Sequence, residues 1–389
     1  MDPILSYLVD HQQEMLEDLR TFVCTETPST DKDRLDKFAE FLRSYAEGIG
    51  GQVEVLESTE YGNHLRIEWG MDRRDGLSLS VKPVLLVGHF DTVWSLGTLE
   101  KMPFQIDANG RVSGPGIFDM KGGLVQGFWA IRALREVTRH VPPIVFLCNA
   151  DEEIGSRSSR PFIEAEAKRA SAALILEASQ DGKLKTARKG VGIYHVTVEG
   201  KAAHAGLDPL AGVSAIEEMA HQILTLHAQT DMGVGTTVNV GVVQGGTRSN
   251  VTAPFAEAEV DLRIVTTAAA NRMNELILGL EAHNPRAKVR VTGDINRPPM
   301  ERTEATAKLF GLAKSIAADL DFDVDEVAVG GGSDGNFCAA VGTPVLDGLG
   351  AVGGGAHAVH EHLIVDEMPR RAALLARLIE QIATEDPNR

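Results

Sequence analysis

The order of apolar and polar positions divides the chain into stretches of two textures. Residues 4–23 space Ile4, Leu8, Met15, Leu16, Leu19 and Phe22 as one face of a helix does. Residues 52–56 and 64–69 alternate apolar and polar side chains, which predicts half-buried strands. Three other runs, 84–87, 144–147 and 172–176, are almost continuously apolar. Between the first two of them, 122–134 reads as a helix through Leu124, Val125, Phe128, Ile131 and Leu134. Continuous apolar strands alternating with helices predict a sheet covered on both faces, the α/β class.

Near Lys185 the texture changes. Residues 192–199 and 257–265 alternate strictly, with Val260, Leu262 and Ile264 sharing one face. A helix at 213–226, strands at 237–243 and 288–292, and a helix at 270–281 complete this region. Strands with one wet face and two helices predict an α+β layer covered on one side. Asn296-Arg297-Pro298-Pro299 reads as a turn, after which the α/β texture returns with a helix at 304–320, a strand at 344–346 and a last helix at 368–383. The pattern therefore predicts a discontinuous larger domain, 1–186 and 298–389, interrupted by an inserted domain, 187–297. No internal repeat or low-complexity segment is visible.

Composition adds bounds to this picture. A chain of 389 residues suggests two domains at ~100–200 residues each. Its 43% hydrophobic and 24% charged content is ordinary for a globular protein. The formal charge of −17 argues against a nucleic-acid partner, which would require basic stripes. It also means that an acidic substrate must be met by individually placed arginines. The three cysteines, Cys24, Cys148 and Cys338, are far apart and form no C-x-x-C pair, as expected of small core residues in a reducing compartment. With no basic n-region at the N-terminus and no apolar run near the ~20 residues of a membrane span, a cytoplasmic protein without a membrane partner is expected.

In open α/β sheets, ligands gather beyond the carboxyl ends of the strands. Here the run 84–87 leads through Gly88 into His89-Phe90-Asp91, 144–147 leads through Cys148 into Asp151-Glu152-Glu153, and 172–176 ends on Glu177. Asp119 lies in the Gly-rich stretch 114–123, and His357 follows the turn Gly353-Gly354-Gly355. Imidazoles and carboxylates together suit borderline ions such as Zn²⁺. Two histidines and several carboxylates exceed the needs of one tetrahedral ion, and favour a carboxylate-bridged pair ~3.5–4 Å apart.

These stretches resemble the zinc metallopeptidase family of glutamate carboxypeptidase, aminoacylase, acetylornithine deacetylase and succinyl-diaminopimelate desuccinylase, and most of all the bacterial glutamate carboxypeptidases. The likeness rests on Gly88-His89-Phe90-Asp91-Thr92-Val93, Gly114-Pro115-Gly116 through Asp119-Met120-Lys121-Gly122-Gly123, Asp151-Glu152-Glu153-Ile154-Gly155-Ser156, Gly200-Lys201-Ala202-Ala203-His204-Ala205-Gly206, Gly330-Gly331-Gly332-Ser333-Asp334 and His357-Ala358-Val359-His360-Glu361. The resemblance implies a zinc-peptidase-like mixed sheet covered by helices, with the inserted α+β domain serving as lid and homodimer interface. It implies two divalent metal ions, Zn²⁺ above all, with Co²⁺ or Mn²⁺ as alternatives. His89 and Glu177 would hold one ion, Glu153 and His357 the other, and Asp119 would bridge them. Asp91 would orient His89, Glu152 would be the general base, and His204 would supply an oxyanion donor from the other subunit. His360 stands where relatives often carry Asn, and its distance from Glu361 favours His357 as the ligand. The family also implies a cis Asp119–Met120 peptide.

By the same resemblance, Arg263 and Arg297 would meet the substrate carboxylate, to which an arginine fork gives two parallel hydrogen bonds, and Asn250 would be a further substrate contact of the lid. Gly331 and Gly332 would let backbone approach the substrate closely. The expected reaction is hydrolysis of an amide bond next to a free carboxylate, releasing C-terminal Glu or Asp from an N-acyl amino acid or short peptide. The alternative is an N-acyl-amino-acid deacylase of the acetylornithine deacetylase or aminoacylase type.

Overall fold

A computed structural model describes residues 1–71, 82–139 and 141–384. The chain divides into two compact units: Met1–Ala187, Arg302–Ala328 and Ser333–Arg389 form the first, Arg188–Glu301 with Val329–Gly332 the second.

The first unit is built on a six-stranded mixed sheet in the order Gln52–Leu56, His64–Trp69, Ile144–Asn149, Val84–His89, Ala172–Ile175, Val345–Leu346. The inner pairs, 84–89 with 144–149 and with 172–175, are parallel. Every residue of these three strands is buried, as their unbroken apolar character requires of a sheet covered on both sides. Helix Gly122–Ala133 packs on strand Val84–His89, and helix Glu367–Thr384 packs on Gly122–Ala133. A Cβ on Gly123 would stand 2.0 Å from the Leu176 carbonyl oxygen, so only glycine lets this helix close on the strand end that precedes Glu177.

The helix expected at 4–23 is two helices, Pro3–Asp10 and Gln12–Cys24. Asp2 caps the first by accepting from the amides of Ile4 and Leu5, with Pro3 in the first turn. The break falls at His11, whose Nδ1 reaches the Tyr7 carbonyl at 2.7 Å and whose backbone leaves the helical region. A small sheet that the pattern did not predict joins Gly353–Gly354, His362–Ile364, Arg111–Ser113 and Gln105–Ile106. Its strands are two or three residues long, too short for any period to show. It nevertheless sets His362 opposite Ser113, and so draws together the stretches that carry His357 and Asp119.

The second unit is a four-stranded antiparallel sheet in the order Thr237–Gly245, Phe255–Ile264, Gly190–Glu199, Lys288–Arg297. Helices Ala215–His227 and Thr267–Leu278 pack on it. Tyr194, Val196, Val198, Leu262 and Ile277 belong to its core, while Ile193, His195 and Thr197 lie on the more exposed face. This is the one-sided burial that strict alternation predicts. The unit also takes in residues 329–332, because Arg188 Nη1 donates to the carbonyls of Gly331 and Gly332 and the Lys189 amide donates to Val329.

Candidate metal centre

In the first unit, three strand ends, the turn Ile117–Lys121 and the stretch between Gly353–Gly354 and His362–Ile364 bring five side chains together. His89 closes its strand, is 1% exposed, and turns Nε2 toward Asp119 Oδ1 at 3.3 Å and Glu177 Oε1 at 3.6 Å. His357 turns Nε2 toward Asp119 Oδ2 at 3.3 Å and Glu153 Oε2 at 3.2 Å. Asp119 thus shows one oxygen to each histidine. Two groups of potential ligands result, His89 with Asp119 and Glu177, and Asp119 with Glu153 and His357.

The donor set fits divalent ions. Nε2 of His89 and Oε1 of Glu153 are buried and have no hydrogen-bond partner among the described residues, an expensive arrangement for polar atoms unless something else binds them. The electrostatics agree. Burial alone would lower the His89 pKa, but the carboxylates of Asp119, Asp91 and Glu177 outweigh it and hold the imidazole well above its ordinary value. Hydrogen bonds to Asp119 and then Glu153 push His357 up to about 10. Burial raises Glu153 to about 7. Burial would also raise Asp119, yet His357 and His89 bring it below the usual carboxylate range. Concentrated negative charge facing two imidazoles is the environment in which a cation displaces protons.

Each acid of the 151–153 run has its own task. Asp151 takes the hydroxyls and amides of Ser158 and Ser159, which fastens the following loop. Glu152 and Glu153 do not lie in an extended segment. They occupy a 3₁₀ turn, Glu152–Ile154, closed by Gly155 at φ 96°. The cause is Asp91, whose Oδ1 accepts from the Glu152 amide and Oδ2 from the Glu153 amide. Two successive amides on one carboxylate curl the backbone. Glu152 Oε2 then lies 4.0 Å from His89 Nε2, while Glu153 meets His357. Asp91 also approaches His89 Nδ1, through its carbonyl at 3.0 Å and its carboxylate at 3.3 Å.

The Asp119–Met120 peptide is cis. His357 sits at φ 60°, a left-handed conformation that costs a non-glycine residue ~1–2 kcal/mol and aims its imidazole at the two carboxylates. His360 has no such partner among the described residues; its carbonyl accepts from His362 Nδ1 instead.

Two supports escaped the sequence reading. Ser29 donates to Asp91 at 2.8 Å, and Glu361 accepts from three amides of the Asp119 loop and from Trp94. Their partners lie 62 and more than 240 residues away, so no local pattern could announce them.

Residues 85–381 match peptidase family M20/M25/M40. The chain is 30% identical to carboxypeptidase G2 of Pseudomonas sp. (strain RS-16) over 379 residues, which cover 95% of this chain and 89% of that protein. The chain belongs to the M20/M25/M40 peptidase family. It is accordingly a hydrolase of amide bonds. The fold agrees: a tripeptidase of Staphylococcus aureus superposes with a TM-score of 0.76 at 21% identity, covering 96% of this chain and 99% of that one. A peptidase of Bacillus subtilis described as dinuclear and metal-binding superposes with a TM-score of 0.68 at 15% identity, covering 96% and 99%.

The remaining predicted residues of this family member lie in the second unit. His204 is exposed, and its Nδ1 accepts from the amides of Gly206 and Leu207, which leaves the proton on Nε2. Arg263 is engaged along its own strand, where Nε donates to both oxygens of Asp261 and Nη2 to one of them. Arg297 is buried and ends a strand, opposite Val191, rather than sitting in a turn. Its Cδ would meet a Cβ on Gly332 at 2.7 Å, whereas a Cβ on Gly331 would meet nothing within 4 Å. Asn250 is exposed, and its carbonyl accepts from the Ala205 amide beside His204.

Proposed function

We propose that the chain is a two-metal carboxypeptidase that releases C-terminal glutamate or aspartate from N-acyl or peptidyl substrates. The observation that carries this reading is the Asp119 carboxylate, 3.3 Å from a histidine on each side. Imidazole and carboxylate donors suit Zn²⁺, with Co²⁺ or Mn²⁺ as alternatives. His89 and Glu177 would hold one ion, Glu153 and His357 the other, with Asp119 shared. Bound ions of this kind polarise the scissile carbonyl and lower the pKa of water toward neutrality.

The chain supplies the proton handling. Glu152 takes the proton of the attacking water and returns it to the departing amide nitrogen. Asp91 holds the Glu152 amide and the His89 imidazole, and so fixes the base against the ligand that neighbours it. His204, with its proton on Nε2, is the proposed oxyanion donor.

Similarity to carboxypeptidase G2 supports a substrate with a free carboxylate. We place that carboxylate on Arg297 with the backbone at Gly331 and Gly332. Asn250 lies beyond the other end of the sheet, where Phe255 pairs with Glu199, while Arg297 pairs with Val191, so it would join that carboxylate from the other subunit. Arg263, committed to Asp261, is better read as a strand ion pair. The second unit is proposed as a lid and homodimer interface. Exposed Ile216, Leu224, Val242 and Val243 on one helix and the outermost strand support this. A cytoplasmic location goes with the same reading.

Amine release from N-acyl-glutamate, N-acyl-aspartate, N-acyl-ornithine and N-acyl-leucine tests it, with zinc-loaded and chelated protein run in parallel. Activity on the two acidic members that disappears on chelation is expected. Preference for ornithine or leucine would replace the carboxypeptidase reading with a deacylase one.

A further inference from the structure

Glu361 is fully buried, and each of its carboxylate oxygens takes two hydrogen bonds. Oε1 accepts from the Phe118 amide at 2.8 Å and the Asp119 amide at 3.0 Å. Oε2 accepts from the Gly116 amide at 3.0 Å and Trp94 Nε1 at 2.8 Å. The Glu361 backbone belongs to the other side of the centre: its amide donates to Ala358, the residue after His357. The next residue, His362, pairs with Ser113, from which the Asp119 loop departs. One side chain therefore ties the turn carrying one histidine to the loop carrying the shared carboxylate.

We propose that Glu361, with Trp94 as its indole partner, is a positioning residue that sets the Asp119 carboxylate so that one oxygen serves each metal ion. This rests on the two-metal reading of the centre. Three amides along a short loop converge on an anion only when the backbone curls around it, as in an anion-binding nest. The anion here is part of the protein, so the loop conformation is imposed from within. The Asp119 amide is one of the bound donors, so rotation of its peptide, and with it the carboxylate, is restrained at the point of attachment. Because Asp119 is common to both ligand groups, loosening it weakens both sites together. Loss of Glu177 or Glu153 would weaken one.

The isosteric change Glu361→Gln is the discriminating variant. Its amide nitrogen cannot accept, so two of the four donors lose their acceptor and face another donor. Co²⁺ affinity and stoichiometry are measured by equilibrium dialysis, the visible spectrum of the bound Co²⁺ is recorded, and the melting temperature of each metal-free protein is determined. The proposal expects both ions to bind roughly 10–100-fold more weakly in Glu361→Gln, with an altered Co²⁺ spectrum, while the metal-free proteins melt within a few degrees of each other. Unchanged affinity and spectrum would overturn it. If Glu361→Gln does not fold, Trp94→Phe decides, since it removes one donor and leaves the carboxylate: weaker binding of both ions supports the proposal, and unchanged binding refutes it. Wild-type protein that takes fewer than two ions would refute the two-metal reading itself, which the variants alone do not address.

Discussion

A carboxylate between two imidazoles has one arrangement that serves both, an oxygen turned each way, and Asp119 adopts it. Glu152 then stands apart from the ligand set by what it does not touch. It approaches His89 at 4.0 Å but belongs to neither ligand group, and it is held through its backbone by Asp91. A glutamine at 152 keeps that backbone hydrogen bond and loses only the capacity to take a proton. Glu152→Gln is therefore expected to lower kcat roughly 10²–10⁴-fold while metal content stays unchanged, as measured by steady-state kinetics and elemental analysis. A loss of metal in parallel with activity would make Glu152 a ligand instead. At this scale the residue types were legible in the sequence because each follows a buried strand or a glycine-rich stretch. The turn at Glu152–Ile154 was not, since the carboxylate that curls it arrives from a strand about sixty residues earlier. Arg263 is hidden for a different reason: its partner Asp261 is only two residues away, but the pairing depends on the rotamers of both side chains.

At the scale of elements, three helices of the first unit meet at one carboxylate. Asp18 Oδ2, on Gln12–Cys24, accepts from Tyr45 on Lys32–Gly48 at 2.5 Å and from Trp129 on Gly122–Ala133 at 2.9 Å. Burial, with the Asp18 charge second, holds the Tyr45 phenol above its ordinary 10.0. The unfolded chain loses this proton near pH 10 while the folded chain keeps it. The contribution is therefore complete below pH 10 and is lost as pH rises beyond it. Tyr45→Phe is expected to cost ~1 kcal/mol at pH 8, and the gap to wild type should narrow above pH 10, as followed by denaturant unfolding. A gap that is constant across this range would show that Tyr45 does not titrate against the fold. Most elements were legible because their burial is periodic or continuous. The last strand of the second unit was foreseen only to 292, yet it runs to Arg297. Gly293, at φ 121°, carries it past the Ile193 carbonyl, where a Cβ would come within 2.2 Å. In the sequence that glycine looks like an end.

For the whole molecule, the change from continuous to strictly alternating strands predicts an insertion, because the two textures answer to two kinds of burial. The return of residues 329–332 to the second unit was not visible, since four residues carry no period and their attachment depends on Arg188. The chemistry divides in a similar way. The two ligand groups lie within the first unit, and the residues proposed to recognise substrate lie in the second. On the proposed function, hydrolysis requires a pair of ions shared by Asp119. The most direct measurement is titration of metal-free protein with Zn²⁺ while hydrolysis of an N-acyl-glutamate is followed. Activity that is absent at the start and reaches its plateau at two ions per chain is the predicted result. Full activity in the chelated protein, or a plateau at one ion per chain, would contradict it.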